Sequence, residues 1–435
     1  MKNETTSASQ DARKRVFAII ASASGNLVEW YDFYVYSFAS IYFASQFFPS
    51  DGDTITPLLK TAGVFFIGFL MRPIGAWFLG FVADRYGRKR SMLISIFMMC
   101  GGSFFIAILP TYETLGITSA ILLLLARMMQ GLSAGGEYGT AATYMSEVAL
   151  KKHRGLFASF QSATLITGQL LASFIIFILA SYLSEDQLKA WGWRIPFVIG
   201  GFGAVIAIYL RRSLHETTTK ESRSHKHSGS LKELLTKHTK AVVVIACFAS
   251  GGSLTFYTFT TYMQKYLITT TGFDKHTATT IMTAVLFIFI LFQPIAGIIA
   301  DKIGTKTLLI IWSILSAIFT FPGLWIIGNT HSIWVAFSVI IGLLFIMSMY
   351  TSISGVVKSA MFPSSIRALG VSISHAIGNA LFGGSAEYVA LGLKKYGHES
   401  LFYFYITVVM IMAFIALLFV PSMRKGGYLQ EDEKH

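Results

Sequence analysis

The sequence predicts an all-α membrane protein in which twelve transmembrane helices form two pseudo-symmetric six-helix bundles. Hydrophobic residues make up 54% of the 435-residue chain and charged residues only 13%, about half the charged fraction of a soluble domain. The apolar residues also gather in blocks of about twenty, the helix length that crosses a bilayer core of about 30 Å. An internal repeat divides these blocks into two groups of six.

The apolar blocks are bounded by prolines, glycines and interfacial tryptophans, which commonly mark the ends of membrane spans. We predict spans near residues 16–47, 58–83, 90–109, 118–146, 155–183, 194–211, 240–268, 277–300, 306–328, 332–360, 366–393 and 400–420. The first block is too long for the core of a signal peptide and contains carboxylates, so we expect it to be an uncleaved span.

One long polar stretch, residues 212–239, separates the sixth block from the seventh. We interpret it as a cytoplasmic linker between an N-terminal bundle of residues 1–211 and a C-terminal bundle of residues 240–435. The sequence of Gly80–Lys89 recurs in Gly297–Lys306, in each case after the second span of a half. Parallel six-span repeats that flank a site at the membrane midplane are typical of one class of secondary transporters.

Lysine and arginine residues concentrate on one side of the predicted membrane. The loops on that side hold most of them, Lys358 and Arg367 among them, whereas the other side keeps a handful that includes Lys265. By the positive-inside rule both termini are therefore predicted to be cytoplasmic. The net charge of +13 follows from this topology, and no basic stripe interleaved with aromatic residues indicates nucleic acid. Two cysteines inside apolar blocks form no ligand pattern, so we expect neither a metal nor a cofactor.

The segment Gly80–Arg90, GFVADRYGRKR, resembles the loop signature of the major facilitator superfamily. The resemblance implies a gating latch, and the residues that match it are Gly80, Asp84, Gly87 and Arg88, with Asp301 in the second half. Three further stretches are similar to the metabolite:proton symporter branch of that superfamily: Gly25–Tyr34, Phe69–Gly75 and Arg127–Glu137. Four others are similar to the 2-oxoglutarate permeases within the branch: Tyr144–Glu147, Tyr257–Tyr262, Tyr350–Gly355 and Phe382–Tyr388.

This resemblance implies a proton-coupled symporter in the bacterial inner membrane. It would act as a monomer and import a small dicarboxylate such as 2-oxoglutarate by alternating access. Members of the same branch carry citrate, shikimate or zwitterionic osmolytes such as proline and betaine, so these substrates remain alternatives.

Five ionisable residues lie near the middle of predicted spans of the first half: Glu29, Asp32, Arg72, Arg127 and Glu137. Each would cost roughly 2.5–3.5 kcal/mol if it faced lipid without a partner, so we expect them to pair or to face a wet cavity. We predict that Arg127, with Arg72 as a second candidate, binds a substrate carboxylate through its guanidinium fork. Glu29, Asp32 or Glu137 would carry the coupling proton. A structural ion pair remains the alternative for Arg72 and for Glu137.

Polar residues on shared helix faces provide weaker candidates. His375 and Asn379 are one turn apart, and Tyr257, Gln264 and Lys265 belong to another polar stripe. We add Gln130, Tyr257, Gln264, Lys265 and Asn379 to the predicted substrate-binding residues, and His375 to the predicted proton carriers. Lys265 is also placed where a lysine commonly snorkels to the membrane interface.

Other classes of membrane protein fit the sequence less well. A drug-efflux antiporter is the nearest alternative, but the fifth span lacks the Gly-Pro motif by which such antiporters resemble one another. No HExxH or GxxxxGK[ST] motif is present, and the one GxSxG match, Gly131–Gly135, lies inside the fourth predicted span rather than at a strand-to-helix turn. Neither hydrolysis nor ATP-driven transport is therefore indicated, and we expect no enzyme. A channel would more commonly show short subunits with a filter loop.

Overall fold

The structure is a computed structural model that describes residues 27–50, 52–86, 88–135, 154–212, 231–363 and 366–421. Throughout these residues helices alternate with short turns, and no β-strand occurs. The six long helices of the first half cover residues 27–47 (α1), Ile55–Tyr86 (α2), Arg88–Ile108 (α3), Ile117–Ala134 (α4), Arg154–Tyr182 (α5) and Ile195–Arg212 (α6). Those of the second half cover Thr239–Thr269 (α7), Lys275–Ile303 (α8), Thr305–Asn329 (α9), Ile333–Ser359 (α10), Arg367–Gly378 with its continuation Asn379–Gly383 and Ala386–Lys395 (α11), and Glu399–Leu418 (α12).

These helices follow the predicted spans to within a few residues wherever both ends are described. Eight of the described helices are long and apolar enough to cross a membrane: α2, α4, α5, α7, α8, α9, α10 and α12. The helix α3 has a shorter apolar part, Leu93–Ile108, because its first turn is basic. Large apolar side chains such as Trp77, Phe97 and Val408 are more than 60% exposed on the outer surface, as expected for side chains that face lipid.

Each half packs around its own set of helices, and the two halves meet along two seams. In the first half α3 contacts α2, α4 and α6, and in the second half α7 contacts α11 and α12. Within the described residues the most extensive contact of all joins α5 to α8, and α2 packs against α11. Below, the end of the bundle with the short helix Leu231–Lys237 is called the linker end, and the end with the helix Glu185–Ala190 is called the far end.

The helices α2 and α4 approach each other so closely that glycine is required at the crossing. A Cβ atom added to Gly131 would lie 1.9 Å from the carbonyl oxygen of Gly68, and one added to Gly75 would lie 1.9 Å from that of Leu132. Small residues permit this kind of backbone contact between membrane helices. The contact matters for the site because α2 carries Arg72 and α4 carries Arg127.

Two helices of the second half contain a π-helical turn at the depth of the centre. The turns cover Thr258–Tyr262 in α7 and Asn379–Gly383 in α11. They pack on one another, since a Cβ atom added to Gly383 would lie 2.8 Å from the Cδ2 atom of Tyr257. Such turns occur frequently at functional sites, and Tyr257 and Asn379 stand directly at them.

The glycine contact can be tested with Gly131→Ala. The added methyl group would force α2 and α4 apart, and overpacking of this kind typically costs about 1–3 kcal/mol. We expect a lower midpoint of thermal unfolding in detergent.

A matched control is Gly342→Ala in α10, where an added Cβ atom meets nothing within 4 Å. Alanine is favoured over glycine in a helix by up to about 1 kcal/mol, so this variant should unfold at or above the wild-type midpoint. Equal midpoints for the two variants would contradict the close crossing.

Candidate functional site

A narrow cavity lies between the two halves. The space in it that admits water-sized molecules is about 60 Å³, enough for a few water molecules in this conformation. The first half contributes Trp30 of α1 and part of α5 to its wall, and the second half contributes α7, α10 and α11. Three residues predicted from the sequence, Tyr257, His375 and Asn379, lie on this wall.

The guanidinium of Arg72 is buried among aromatic rings. Its Cζ atom lies 3.9 Å from the ring centroid of Phe69, 4.3 Å from that of Phe33 and 5.6 Å from that of Trp30. Its Nε and Nη2 atoms have no hydrogen-bond partner in the described part of the chain. Arg72 is thus a buried cation in contact with Trp30, a residue of the cavity wall, and no described residue accepts from its Nε and Nη2 donors.

Arg127 lies on the other side of the Phe33 ring. Its Cζ atom is 4.9 Å from the Phe33 centroid and 4.3 Å from the Tyr36 centroid. Its Nη1 atom donates to Oε1 of Gln130 at 2.5 Å, whereas its Nε atom has no partner among the described residues. Gln130 thus holds one end of the Arg127 guanidinium, and the Nε donor has no acceptor among the described residues.

Gln130 positions Arg127 and joins α4 to α3. While Oε1 accepts from Arg127, Nε2 donates to the Ser103 hydroxyl at 2.8 Å and to the Met99 carbonyl at 3.3 Å. The side-chain amide thus uses both its oxygen and its nitrogen within the protein. Gln130 was predicted to bind substrate, and in this conformation its hydrogen bonds fix the arginine beside it.

The two acids of α1 are both buried but contact different helices. Oε1 of Glu29 accepts a hydrogen bond from the Ser133 hydroxyl of α4 at 3.4 Å. Asp32 packs against α6, where a Cβ atom added to Gly200 would lie 1.7 Å from Oδ1. By distance and angle, neither oxygen of Asp32 is hydrogen-bonded to a described residue, although the Ser103 hydroxyl and the Arg127 guanidinium are near enough to act on this carboxylate. We expected the central charges to pair or to face a wet cavity, and a direct ion pair of Asp32 with an arginine is not present among the described residues.

Lys265 forms a buried ion pair that connects both halves. Its Nζ atom donates to Oε2 of Glu387 in α11 at 3.0 Å, and to both the carbonyl and the hydroxyl oxygen of Ser37 in α1 at 2.8 Å. The lysine side chain is fully buried and that of Glu387 is 6% exposed. The expectation that Lys265 snorkels to the interface is therefore wrong, because α11 supplies a carboxylate that holds the ammonium inside the bundle.

Glu387 and Lys358 are two charged residues that the sequence interpretation did not assign to the site. Lys358 was counted among the basic residues at the cytoplasmic ends, but the structure buries it fully. Its Nζ atom lies 3.1 Å from Nδ1 of His375 and 3.3 Å from the hydroxyl of Tyr350. The spacing Tyr350, Ser354, Lys358 places three polar groups on one helix face, and this signal could have identified the lysine.

Gln264 and Asp301 complete the described set of predicted residues. Gln264 donates to the Thr279 hydroxyl of α8 at 2.9 Å. At the linker end, the carboxylate of Asp301 accepts from the backbone N–H groups of Gly155 at 2.7 Å and Leu156 at 3.1 Å. An acid of α8 thus caps the first turn of α5 in the other half, where the helix dipole favours negative charge.

Five of the predicted residues cannot be placed in the site, because either the residue or its side chain lies outside the part of the chain that the structure describes. They are Gly80, Asp84, Gly87, Arg88 and Glu137.

An exposed ion pair joins the halves at the far end. Oε1 of Glu185 lies 2.8 Å from Nζ of Lys189 and 2.7 Å from Nζ of Lys275 at the start of α8. The hydrogen bonds from Lys189 and Lys275 lower the pKa of Glu185 to about 2. A depressed pKa stabilises the fold above the ordinary glutamate pKa of about 4.3, and this contribution is lost as the pH falls towards 2. Because Glu185 is more than half exposed, solvent screening keeps the contribution small.

The buried pair can be tested by Lys265→Met. Removing one partner leaves the Glu387 charge uncompensated, which typically costs about 3–5 kcal/mol. The double variant Lys265→Met/Glu387→Leu removes both charges and should unfold closer to the wild-type temperature. Lys275→Met is the control, since an exposed pair contributes about 1 kcal/mol or less. Strictly additive losses in the double variant, measured by thermal unfolding in detergent, would contradict the buried pair.

Comparison with known proteins assigns the chain to a family. Residues 17–219 match the family described as "Sugar (and other) transporter", and residues 254–435 match "Major Facilitator Superfamily". The chain is 54% identical over 418 residues to the alpha-ketoglutarate permease of Escherichia coli (strain K12), with 96% of each chain covered. It is 31% identical to the citrate-proton symporter of Klebsiella pneumoniae, over 88% of this chain and 86% of that one. It is 30% identical to the proline/betaine transporter of Salmonella typhimurium, over 94% and 83%.

Solved structures confirm the predicted fold class. A crystal structure of a D-xylose-proton symporter superposes with a TM-score of 0.75 at 20% identity, over 94% of this chain and 99% of that one. The Escherichia coli xylose transporter in a partially occluded inward-open conformation gives a TM-score of 0.74 at 19% identity, over 93% and 97%. At this identity the likeness concerns the fold alone. With two family matches and a relative that is 54% identical over 96% of its length, the chain belongs to the major facilitator superfamily and is a multi-pass membrane transporter rather than an enzyme.

Proposed function

We propose that this chain imports 2-oxoglutarate, or a closely similar small dicarboxylate, together with protons. The alpha-ketoglutarate permease is 54% identical to it, compared with 31% for the citrate-proton symporter. The observation that carries the proposal is the state of Arg72, a buried cation whose Nε and Nη2 atoms have no described hydrogen-bond partner. Buried donors without acceptors are costly, and a bound carboxylate would supply two acceptors to this planar fork.

The surroundings of the arginines favour a dianion over a zwitterion. Arg72 and Arg127 share the Phe33 ring, with Cζ atoms 4.3 Å and 4.9 Å from its centroid, and like charges at such a short separation repel each other. The aromatic faces hold the guanidinium groups by cation–π attraction, and a bound anion relieves their mutual repulsion. Proline and betaine would bring a further positive charge to this region, so these substrates of related transporters fit less well.

Asp32 is the proton carrier in our scheme, with Glu29 as its neighbour on α1. A buried carboxyl group has a smaller desolvation cost when it holds a proton. A guanidinium charge nearby, such as that of Arg127, opposes this by favouring the ionised form. When the substrate carboxylate engages Arg127, this support weakens and Asp32 takes up a proton. The same competition couples the movement of the acid to that of the proton.

The membrane potential gives a reason for the coupling. A dianion that enters against 100 mV, inside negative, requires about 4.6 kcal/mol, since each charge contributes about 2.3 kcal/mol. Two protons that enter with it make the step electroneutral, so that the pH gradient drives uptake.

Alternating access would use the contacts at both ends of the cavity. We infer that the linker end faces the cytoplasm, with both termini on that side of a bacterial inner membrane. The bundles 1–211 and 240–435 would rock about the central site as a monomer, joined by the linker 212–239. The cap of Asp301 on α5 would open on the cytoplasmic side. The pair of Lys265 and Glu387 with Ser37 would open on the opposite side.

The decisive test is uptake of radiolabelled 2-oxoglutarate into proteoliposomes with an imposed pH gradient, acid outside. Unlabelled citrate, shikimate and betaine serve as competitors. We expect uptake above the external concentration, strong competition by unlabelled 2-oxoglutarate and weak competition by betaine. Competition by betaine without competition by diacids would replace the proposal with an osmolyte transporter.

Arg72→Lys tests carboxylate binding by the guanidinium fork. An ammonium group offers no planar pair of donors and stacks less well on aromatic rings, so we expect uptake at low substrate to fall by at least about tenfold, the loss of roughly one charge-assisted hydrogen bond. Arg194→Lys is the control, because this half-buried arginine donates only to the carbonyl groups of Ala107 and Leu109. Wild-type uptake by Arg72→Lys would rule out the assignment.

Asp32→Asn tests proton coupling. The amide cannot release a proton, so we expect exchange of internal for external 2-oxoglutarate to persist while uphill uptake driven by the pH gradient is lost. Glu29→Gln provides the second arm, and Asp53→Asn in an exposed loop is the control. If uphill uptake survives in both the Asp32 and the Glu29 variants, neither acid carries the proton.

A further inference from the structure

The second half of the protein holds a buried cation next to residues of the cavity wall. Lys358 of α10 is fully buried, and its Nζ atom lies 3.1 Å from Nδ1 of His375, 3.3 Å from the Tyr350 hydroxyl and 3.5 Å from the Ser354 hydroxyl. Tyr350, Ser354 and His375 all lie on the cavity wall. The ammonium group is thus held directly behind the wall by three polar side chains that themselves face the cavity.

We infer that Lys358 and His375 form a second carboxylate-binding site, which receives the distal carboxylate of the transported diacid. The inference rests on the proposed function and adds to it the residues that distinguish a diacid from a monoacid. Lysine suits this position because its compact ammonium presents three rotatable donors. It can therefore keep one of its neighbours while it turns another donor to a ligand.

The two cationic sites lie on opposite halves and face one region. Arg72 belongs to α2 and its guanidinium contacts Trp30, whereas Lys358 belongs to α10 and its ammonium contacts His375. The Trp30 ring, under the Arg72 guanidinium, and the His375 ring are both on the wall of the same cavity. A molecule with one carboxylate at each end can therefore engage both halves, whereas a monoacid leaves one cation without an anion.

The local backbone supports this arrangement. The helix α10 is interrupted after Thr351, and a short helix, Ser354–Ser359, carries Lys358. The interruption lets the Lys358 side chain run inside the bundle, where Tyr350 and Phe248 pack against it with ring centroids 5.3 Å and 6.0 Å from Nζ. The π-helical turn of α11 begins at Asn379, one turn beyond His375. Irregular turns in α10 and α11 thus lie next to Lys358 and His375.

The test compares two ligands of the same chain length. 2-Oxoglutarate has a carboxylate at each end, and 2-oxovalerate has a methyl group in place of the distal carboxylate. Equilibrium binding of each acid to the purified wild-type protein and to Lys358→Gln is measured by calorimetry in detergent. We expect the preference of the wild type for the diacid to shrink at least about tenfold in Lys358→Gln, the loss of one charge-assisted hydrogen bond, while the affinity for 2-oxovalerate stays within about twofold.

Further variants separate recognition from folding. Lys358→Arg restores the charge and should recover a preference for the diacid, and His375→Gln should reduce that preference by a smaller factor. Lys237→Gln, on the exposed helix at the linker end, should bind both acids as the wild type does. If Lys358→Gln does not fold, the Lys358→Arg and His375→Gln variants decide the matter by the same ratio.

The outcomes distinguish this inference from the proposed function. If the wild type binds neither acid, the proposed function fails and the second site fails with it. If the wild type prefers 2-oxoglutarate and this preference is unchanged in Lys358→Gln and His375→Gln, the proposed function stands and the second carboxylate site is wrong.

Discussion

An ionised side chain in the middle of a membrane protein must find a substitute for the water that it has lost, and this requirement organises the centre of the transporter. Each buried cation finds a different substitute. Lys265 has a carboxylate and two oxygens of Ser37, Arg72 has the faces of three aromatic rings, and Lys358 has an imidazole and two hydroxyl groups. The first is a complete ion pair, which suits a contact that holds helices together. The contacts described for Arg72 and Lys358 are aromatic rings and neutral polar groups, and both cations contact residues of the cavity wall.

The aromatic residues near the arginines stabilise a buried guanidinium without placing a protein carboxylate beside it. A carboxylate next to Arg72 would satisfy its donors permanently and would compete with a substrate anion. Aromatic faces stabilise the guanidinium through a weaker, nondirectional attraction, and its Nε and Nη2 donors have no partner among the described residues. The site is thereby ready for an acceptor that arrives from solution. Glycine contacts between α2 and α4 bring Arg72 and Arg127 to the same depth, so the arrangement depends on the close crossing of these two helices.

The contacts between the two halves involve different chemical groups at the linker end, near the centre and at the far end. At the linker end, backbone N–H groups of α5 meet the Asp301 carboxylate. On the far side of the centre a buried lysine crosses from α7 to α1, and at the far end an exposed ion pair joins Glu185 to Lys275. Polar contacts of this kind can be exchanged for other polar partners without exposing apolar surface. Two bundles that must separate at one end and then at the other need contacts of this type.

By itself the sequence determined the number and order of the helices, their division into halves and the presence of charges near mid-depth, because a fixed rise per residue converts position along an apolar helix into depth. It also identified Arg72, Arg127 and Asp32 as groups that must avoid lipid. Only the tertiary structure decided what each of them contacts, since that depends on the rotation of every helix about its axis. Asp32 packs against Gly200 of α6, and Lys265 pairs with Glu387, which is 122 positions away in the sequence. The position of Lys358 near a helix end suggested a solvated charge, but its side chain is buried inside the bundle. The partners in these contacts are set by long-range packing of residues far apart in the chain. Helical periodicity can place Lys358 on a polar face, but it does not show what that face contacts.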